Sequence, residues 1–277
     1  MHSRVSVNSI GFMDKSLGEQ AECWRSLAPK RVSLLGHHIE QEGLEAAKRA
    51  LGTGDYQLET IVHPFLPGQA LNPDAASWKA PRESLDAEID RARALGARSI
   101  YMVTGGHGGL VWEQAAEVFS RAIAPCVQHA RDVGMPLLIE NAPLLYADIH
   151  IAHTLRDTLT LAEMADIGVC IDLPGCWTEA GLDKLIRAAI PNCHLVQVSD
   201  YVCGDRALPA RAVPGDGDMP LERLFGWLLD AGYRGAFDLE LLGPRIAEEG
   251  ALEATRRAGA EVGRLLDKLG ARDDAKG

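Results

Sequence analysis

The sequence predicts a single (β/α)8 barrel, in which eight parallel strands close into a ring and helices cover it. Eight short apolar runs rich in β-branched residues recur along the chain, and each precedes a longer segment with helical periodicity. Strict alternation of strand and helix makes the strands parallel, because each helix carries the chain back across the sheet. No linker or composition shift divides the 277 residues, and such barrels are commonly about 250 residues long. We therefore predict one domain over residues 1–277.

The order of the elements supports this prediction. The predicted strands are residues 5–12, 31–38, 56–65, 99–106, 135–142, 167–173, 193–201 and 235–243. The predicted helices are residues 17–28, 42–52, 84–96, 110–134, 154–166, 178–190, 220–233 and 250–270. Glycines close four of the helices, where a left-handed residue is favoured: Gly52, Gly96, Gly134 and Gly232. A doubly wound open sheet is the alternative fold, but the first strand–helix turn lacks the G-x-G-x-x-G of a dinucleotide-binding fold.

Charge and composition exclude several classes of protein. The chain has 28 Lys and Arg against 39 Asp and Glu, and this net charge of −11 argues against a nucleic-acid partner. No apolar run reaches the ~18 residues that cross a bilayer, and the first residues lack the apolar stretch of a secretory signal. The six cysteines are scattered and form no C-x-x-C pair. We therefore expect a reduced cytoplasmic protein without a membrane partner.

Polar residues at the ends of the last four predicted strands are the candidate functional groups. Glu140 ends strand 5, Asp172 ends strand 6, Gln197 lies on strand 7 and Glu240 lies on strand 8. Catalytic groups of (β/α)8 barrels come from the C-terminal ends of the strands. Three carboxylates in one barrel mouth repel each other strongly, and a divalent cation between them removes that repulsion. All-oxygen ligation favours Mg or Mn over Zn.

These motifs resemble the xylose-isomerase-like TIM-barrel superfamily of sugar phosphate isomerases and epimerases. LLIEN, CIDLP, LVQVSD and DLELL match the places where the family holds its metal. The resemblance implies a metal site of Glu140, Asp172, Gln197 and Glu240, holding Mn or Mg, with Co or Zn as alternatives. The glutamine on strand 7 is similar to the hydroxypyruvate isomerase branch, whose ligand set it shares. The stretch RAVPGDGD resembles the family's R-x-x-P-G-x-G, which implies that Arg211 contacts substrate.

The chain departs from the family at two positions. Gly175 stands where family members commonly carry a histidine that contacts substrate, three residues after Asp172. Tyr146 stands where some epimerases carry another glutamate. These two changes, with Trp177 close by, leave room for a bulkier or partly aromatic substrate in place of a small, richly hydroxylated sugar.

Other substrate contacts are predicted on the loops of the same face. His63, His107, Trp112 and Trp177 follow strands 3, 4 and 6, and a structural role is the alternative for each histidine. One of His37 and His38, at the end of strand 2, is expected to point into the mouth. The Pro-rich stretch 66–83 is predicted to be a lid or a partly disordered loop. A position at the surface or at a helix start is predicted for three further histidines, His129, His150 and His153.

The resemblance implies an isomerase or epimerase of carbohydrate metabolism that acts through an enediolate. The expected substrate is a small keto- or aldo-polyol or a hydroxy-keto acid, with Glu140 and Glu240 as the acid/base pair. A metal-dependent lyase on the same fold, either a dehydratase or a β-eliminating enzyme, is the second hypothesis. A non-catalytic barrel is the third hypothesis. We expect a small-molecule substrate as partner, and a homo-oligomer stays open as an alternative to a monomer.

Overall fold

The computed structural model describes residues 1–271 and shows a closed barrel of eight parallel strands. Each strand pairs with the next one in the chain, and the last pairs with the first. The strands are β1 (Val5–Asn8), β2 (Arg31–Leu35), β3 (Gln57–Val62), β4 (Ile100–Met102), β5 (Leu137–Glu140), β6 (Gly168–Asp172), β7 (Cys193–Val198) and β8 (Ala236–Leu239). The predicted (β/α)8 barrel is thereby confirmed.

Helices connect the strands around the outside of the barrel. They are α1 (Leu17–Leu27), α2 (Gly36–Glu42), α3 (Leu44–Leu51), α4 (Lys79–Leu95), α5 (Trp112–Asp132), α6 (Leu155–Ala165), α7 (Leu173–Cys176), α8 (Leu182–Ala189), α9 (Leu221–Asp230), α10 (Pro244–Glu249) and α11 (Ala251–Lys268). The short helices α2, α7 and α10 lie in loops for which the sequence predicted no helix. In the part of the chain that the structure describes, no helix combines the length and hydropathy that crossing a membrane requires.

The strands are shorter than the apolar runs that predicted them, so two histidines predicted at the end of strand 2 lie on a helix instead. Strand β2 ends at Leu35 and α2 begins at Gly36, so His37 and His38 lie on a helix. His37 is exposed, whereas His38 is buried and its Nδ1 lies 2.9 Å from Gln20 Nε2. His38 therefore packs beside α1, and the prediction that these residues end a strand is wrong.

Apolar packing fills both sides of the barrel wall. A large cluster lies between the strands and the helices, and a smaller one of Tyr101, Leu138, Cys170, Leu195 and Ala236 fills the interior. Below the mouth, Asp238 accepts hydrogen bonds from Asn8 Nδ2 (2.7 Å) and Ser33 Oγ (2.8 Å). Burial raises the pKa of Asp238 to about 6. The interior thus carries a polar layer directly beneath the candidate site.

Three of the four glycine helix stops have the predicted left-handed conformation. The φ angles of Gly96, Gly134 and Gly232 are 71°, 71° and 95°. Gly52 instead has φ −71°, and its N–H still bonds the Lys48 carbonyl at 2.9 Å. The prediction for Gly52 is wrong because the helical conformation continues through it.

The Pro-rich stretch 66–83 is packed against the barrel. Leu66, Leu71 and Trp78 are buried, and the Trp78 indole donates to the Asn72 carbonyl at 2.7 Å. Helix α4 begins inside this stretch, at Lys79. The segment borders the β4 loop through a bridge between residues 70 and 106. Its position at the functional face agrees with a substrate loop, and its role stays a prediction.

Candidate metal centre at the barrel mouth

Three carboxylates meet at the C-terminal end of the barrel. Glu140 is the last residue of β5, Asp172 is the last residue of β6, and Glu240 follows β8 directly. One oxygen from each lies within 4.8 Å of the others. All three are buried, with relative exposures of 7%, 0% and 4%. The strand-end positions that the sequence singled out therefore converge on one point.

Two side chains hold the backbone at this point. The Asn141 amide donates from Nδ2 to the Asp172 carbonyl (2.8 Å), and its Oδ1 accepts from the Asp172 N–H (2.9 Å). The ring of His150 lies between the β4 loop and β5: its Nδ1 accepts from the Thr104 N–H (3.1 Å) and its Nε2 donates to the Glu140 carbonyl (2.8 Å). These bonds fix β5 against β6 and against the β4 loop.

Arg211 supplies the positive charge of the cluster. Its guanidinium donates to both oxygens of Asp172, at 2.8 and 3.0 Å, and to Glu240 Oε2 at 2.7 Å. The side chain is almost fully buried. Arg211 therefore joins the β6 carboxylate to the β8 carboxylate, and its contact with substrate stays a prediction.

Gln197 lies on β7 and completes the ring of polar groups at the barrel mouth. It is the register partner of Asp172 on the neighbouring strand β6. Its Nε2 donates to Glu240 Oε1 at 3.1 Å, and its Oε1 accepts from the Cys170 thiol at 3.2 Å. Ligation of a metal through the amide oxygen requires a half-turn of this amide. The Tyr101 hydroxyl is a further hydrogen-bond partner of Glu240, from the interior side.

Burial and mutual repulsion perturb the carboxylates strongly. Burial and the neighbouring Glu240 and Asp172 carboxylates hold the pKa of Glu140 well above its usual range. Burial raises the pKa of Glu240 to about 7, although Arg211 opposes that shift. Groups with such pKa values are characteristic of acid/base chemistry near neutral pH.

The donor set fits a hard divalent cation. Three carboxylates and one guanidinium leave two negative charges in a buried space when all are ionised. Carboxylate and amide oxygens are the ligands that Mg and Mn prefer. A dication bound among Glu140, Asp172 and Glu240 would balance these charges and lower both raised pKa values. The triad can therefore bind a metal.

The loop that carries Arg211 is held by a buried aspartate that the sequence did not single out. Asp200 accepts hydrogen bonds from the backbone N–H groups of Tyr201 (2.8 Å), Gly215 (2.9 Å), Gly217 (3.1 Å) and Met219 (3.1 Å). The backbone of Asp200 also pairs with Ala212 in both directions. Asp200 thus fixes the segment on either side of Arg211.

The contacts of the two predicted histidines, His63 and His107, are with residues other than the three carboxylates. Val62 packs toward the barrel interior, so His63, the next residue, faces the helices, where its Nδ1 lies 3.9 Å from Glu88 Oε2. Burial lowers the pKa of His63 to about 4. His107 lies on the β4 loop, with its ring centroid 6.2 Å from that of His153. Contact of His63 and His107 with substrate stays a prediction.

The other histidines agree only in part with the predicted surface or helix-start positions. His150 is fully buried and burial lowers its pKa to about 4, so the prediction of a surface or helix-start position is wrong for it. His153 is partly buried, and its Nδ1 donates to the Ala142 carbonyl at 3.0 Å. His129 on α5 is half-exposed and faces Asp86 and Asp90, as a surface residue would. His150 is drawn inward because both ring nitrogens have buried backbone partners.

The two predicted tryptophan contacts are half-buried. The Trp112 indole donates to the Ile151 carbonyl at 2.9 Å, which ties it to the loop after β5. Trp177 lies beside Tyr201, with ring centroids 6.4 Å apart. Both pack against the core. Their part in substrate binding stays a prediction.

The two departures from the family pattern have a structural setting. A Cβ at Gly175 would lie 2.6 Å from Asn141 Nδ2 and 3.0 Å from Asp172 Oδ2, so the bridge made by Asn141 occupies the space of a side chain there. Tyr146 is half-buried near the cluster, where burial raises its pKa and Arg211 opposes the shift. Sequence reasoning missed Asn141, although it directly follows a strand-end carboxylate, as a bridging residue would.

Comparison with known proteins agrees with this architecture. A family model described as xylose isomerase-like TIM barrel matches residues 18–262. A fructoselysine 3-epimerase of Shigella flexneri is 27% identical over 92% of this chain and 94% of its own length. A putative hydroxypyruvate isomerase of Streptomyces coelicolor is 29% identical over 73% of this chain and 75% of its own.

Solved structures share the fold at lower identity. A protein from Sinorhizobium meliloti 1021 superposes with a TM-score of 0.81 at 22% identity, over 96% of this chain and 98% of its own. The IOLI protein, solved with a zinc atom, gives a TM-score of 0.80 at 13% identity, over 96% and 99%. The family model covers residues 18–262, and this match establishes that the chain belongs to the xylose isomerase-like TIM-barrel family.

Proposed function

We propose that the protein is a divalent-metal-dependent isomerase or epimerase of a small keto- or aldo-polyol or hydroxy-keto acid. The observation that carries this proposal is the buried triad of Glu140, Asp172 and Glu240 at the mouth of the barrel. The named relatives support it, since one is a fructoselysine 3-epimerase and another is named a putative hydroxypyruvate isomerase.

Glu140, Asp172 and Glu240 would hold the metal, with Gln197 as the fourth group once its oxygen faces the site. Mn or Mg suits these oxygen donors, and Co or Zn are further possibilities. When bound, the cation supplies Lewis-acid stabilisation of the negative charge that develops on adjacent substrate oxygens.

The acid/base work falls to Glu140 and Glu240, which come from strands β5 and β8 on different sides of the mouth. One carboxylate takes the proton from the carbon next to the substrate carbonyl, and the other returns a proton. Return to the opposite face of the same carbon gives epimerisation. Return to the neighbouring carbon gives isomerisation, in which the hydroxyl that becomes the new carbonyl also passes its proton to the former carbonyl oxygen. Tyr101 and Gln197 orient the Glu240 carboxylate, and the His150 bond to the Glu140 carbonyl fixes the backbone from which the other carboxylate projects.

The experiment is solvent exchange followed by NMR. Wild-type protein with added Mn is incubated in D2O with keto-sugars, inososes and hydroxypyruvate, and deuterium is expected at a carbon next to the carbonyl. Glu140→Gln and Glu240→Gln are expected to lose exchange by about 100-fold or more, which is the usual scale of a positioned general base. Glu117→Gln on the exposed face of α5 is the matched control and keeps full exchange.

The outcomes separate the hypotheses. Full exchange in both Glu140→Gln and Glu240→Gln contradicts the acid/base assignment. An α,β-unsaturated or released product in place of an isomer assigns the protein to the lyases. Failure to bind any divalent cation favours a non-catalytic barrel.

A further inference from the structure

We propose that two copies of this chain associate face to face across their barrel mouths, so that an apolar ridge of each copy enters a groove of the other. Exposed apolar side chains gather on the C-terminal face of the barrel. Among residues 1–271, the five most exposed large apolar side chains all lie on loops of that face: Met13, Val111, Leu144, Leu145 and Leu208. Apolar surface that is concentrated on one face of a protein marks an interaction site.

The ridge consists of Val111, Leu144 and Leu145, whose relative exposures are 61%, 72% and 66%. Val111 lies on the loop after β4, and the two leucines lie on a short 3-10 turn in the loop after β5. The two loops are bonded to each other, since the Gly105 N–H donates to the Ile149 carbonyl at 2.9 Å. The ridge is therefore ordered in advance, and little conformational entropy is lost when a partner covers it.

The groove lies on the other side of the mouth, between the loops after β1 and β8 and the helices α10 and α11. Its volume is about 950 Å³. Its apolar lining is formed by Ile10, Met13, Leu241, Leu242, Ile246 and Leu252. Met13 and Leu252 are exposed within this lining, so an apolar segment that enters the groove would bury them.

The closed ring of strands places the ridge and the groove at opposite positions. In the order β1 to β8, the strands β4 and β5 are four places away from β8 and β1, so they lie across the barrel from them. Most homodimers have a two-fold axis, which presents the same surface of both copies to each other. A two-fold axis that passes between the two mouths brings the ridge of each copy over the groove of the other. The interface then contains the ridge–groove contact twice and closes at two copies.

Charges beside the ridge and the groove favour the same pairing at one point. Asp148 is exposed beside the ridge, Lys15 lies in the wall of the groove, and neither forms an ion pair within residues 1–271. The wall also carries Glu249 and Glu253, but both are paired with arginines of α11. Asp14 adjoins Lys15 and opposes the attraction, so the electrostatic complementarity is local and the apolar contact carries most of the affinity.

The second copy would stand across the mouth that contains the carboxylate triad. The loops after β2 and β3, and those after β6 and β7, lie between the two ridge–groove contacts. A small molecule can therefore enter from these two sides while the copies remain associated. The association does not depend on the proposed function, because its contacts include none of the carboxylates.

The test is sedimentation velocity of the full chain over about 1–100 μM, with and without Mn. We expect a species of twice 29.9 kDa. The ridge variant Leu144→Asp, Leu145→Asp and the groove variant Met13→Asp, Leu252→Asp are each expected to weaken the dimer by about 100-fold or more, because a charge enters a desolvated apolar contact. These side chains are exposed in the single chain, so both variants are expected to fold. Met164→Asp, at an exposed methionine on α6, is the matched control and keeps the dimer.

Mixing the two variants tests the pairing of ridge with groove directly. A heterodimer of the ridge variant and the groove variant has one contact with both sides intact and one contact with both sides altered. Each variant alone has two damaged contacts. The mixture is therefore expected to associate about tenfold or more tightly than either variant alone. A general loss of structure in the variants would not produce this recovery.

Each outcome decides the proposal. A wild type that remains monomeric at about 100 μM overturns it. A dimer that survives both pairs of substitutions, or a mixture that associates no more tightly than its components, overturns it and places the interface elsewhere. A monomer whose ridge substitutions alter only substrate binding assigns the ridge to substrate and also overturns it. Loss of the dimer in both variants with recovery on mixing supports the arrangement, whatever the result of the exchange experiment.

Discussion

His150 makes a pH-dependent contribution to stability that a single substitution isolates. The ring is fully buried between the Thr104 N–H and the Glu140 carbonyl, and burial lowers its pKa from 6.5 to about 4. The folded protein therefore holds His150 neutral at pH values where the unfolded chain protonates it. His150→Gln removes this difference between the two states.

The sign and size follow from proton linkage. Between pH 6.5 and 4 the unfolded state binds more protons at this residue, so stability is lost as the pH falls through that window. For pKa values of 6.5 and about 4, the lost free energy of unfolding between pH 7 and pH 5 is about 2 kcal/mol. Buried carboxylates with raised pKa values, such as Asp238, act in the opposite direction, and the comparison of variants cancels their effect.

The assay is urea unfolding of metal-free protein at pH 7 and pH 5, followed by circular dichroism. The fall in unfolding free energy over this interval is expected to be about 2 kcal/mol smaller in His150→Gln than in wild type. His63→Gln is expected to behave similarly, because the pKa of His63 is also lowered to about 4. His129→Gln is the control: its pKa is raised by Asp86, so its stabilisation is present at low pH and lost as the pH rises. Equal falls in His150→Gln and wild type would refute the linkage argument.

Three further substitutions test the site. Arg211→Met leaves buried carboxylates without their cation, so the metal-free protein is expected to lose about 3–5 kcal/mol of stability and to recover most of its melting temperature when Mn is added. Gly175→Ala puts a Cβ 2.6 Å from Asn141 Nδ2, so the free energy of unfolding is expected to fall by about 1–3 kcal/mol. Mn affinity, measured by titration calorimetry, is also expected to fall. Unchanged Mn affinity would show that the Asn141 bridge does not position Asp172. Asp200→Asn removes the charge that gathers four N–H groups, so limited trypsinolysis at Arg211 is expected to speed up; an unchanged cleavage rate would contradict the role of Asp200.

The sequence predicts the barrel and the converging carboxylates well, because both depend on local patterns. Alternation of apolar runs with helical periodicity is a property of neighbouring residues, and the end of each run marks the functional face. Glu140, Asp172 and Glu240 interrupt apolar runs, so their positions could be predicted from one chain. Their meeting within 4.8 Å then follows from closure of the barrel.

The contacts that hold the site could not be predicted in the same way. His63 looked like a rim residue, but its direction depends on strand register, since a shift of one residue reverses the face. The burial of His150 depends on the Thr104 backbone, 46 positions away. Arg211 meets Asp172 across 39 positions, which no local pattern encodes. Partners this far apart are brought together only by the closed barrel.

The guanidinium of Arg211 also bears on whether the chain folds before or after it binds a metal. Because the chain brings its own cation to Asp172 and Glu240, the barrel does not need an ion to overcome the repulsion between them while it folds. Structural zinc domains differ in this respect, since they fold only when the metal arrives. We expect loading to follow folding here, so that ions exchange without loss of the barrel. The ion found in the purified protein would then reflect the supply in the growth medium.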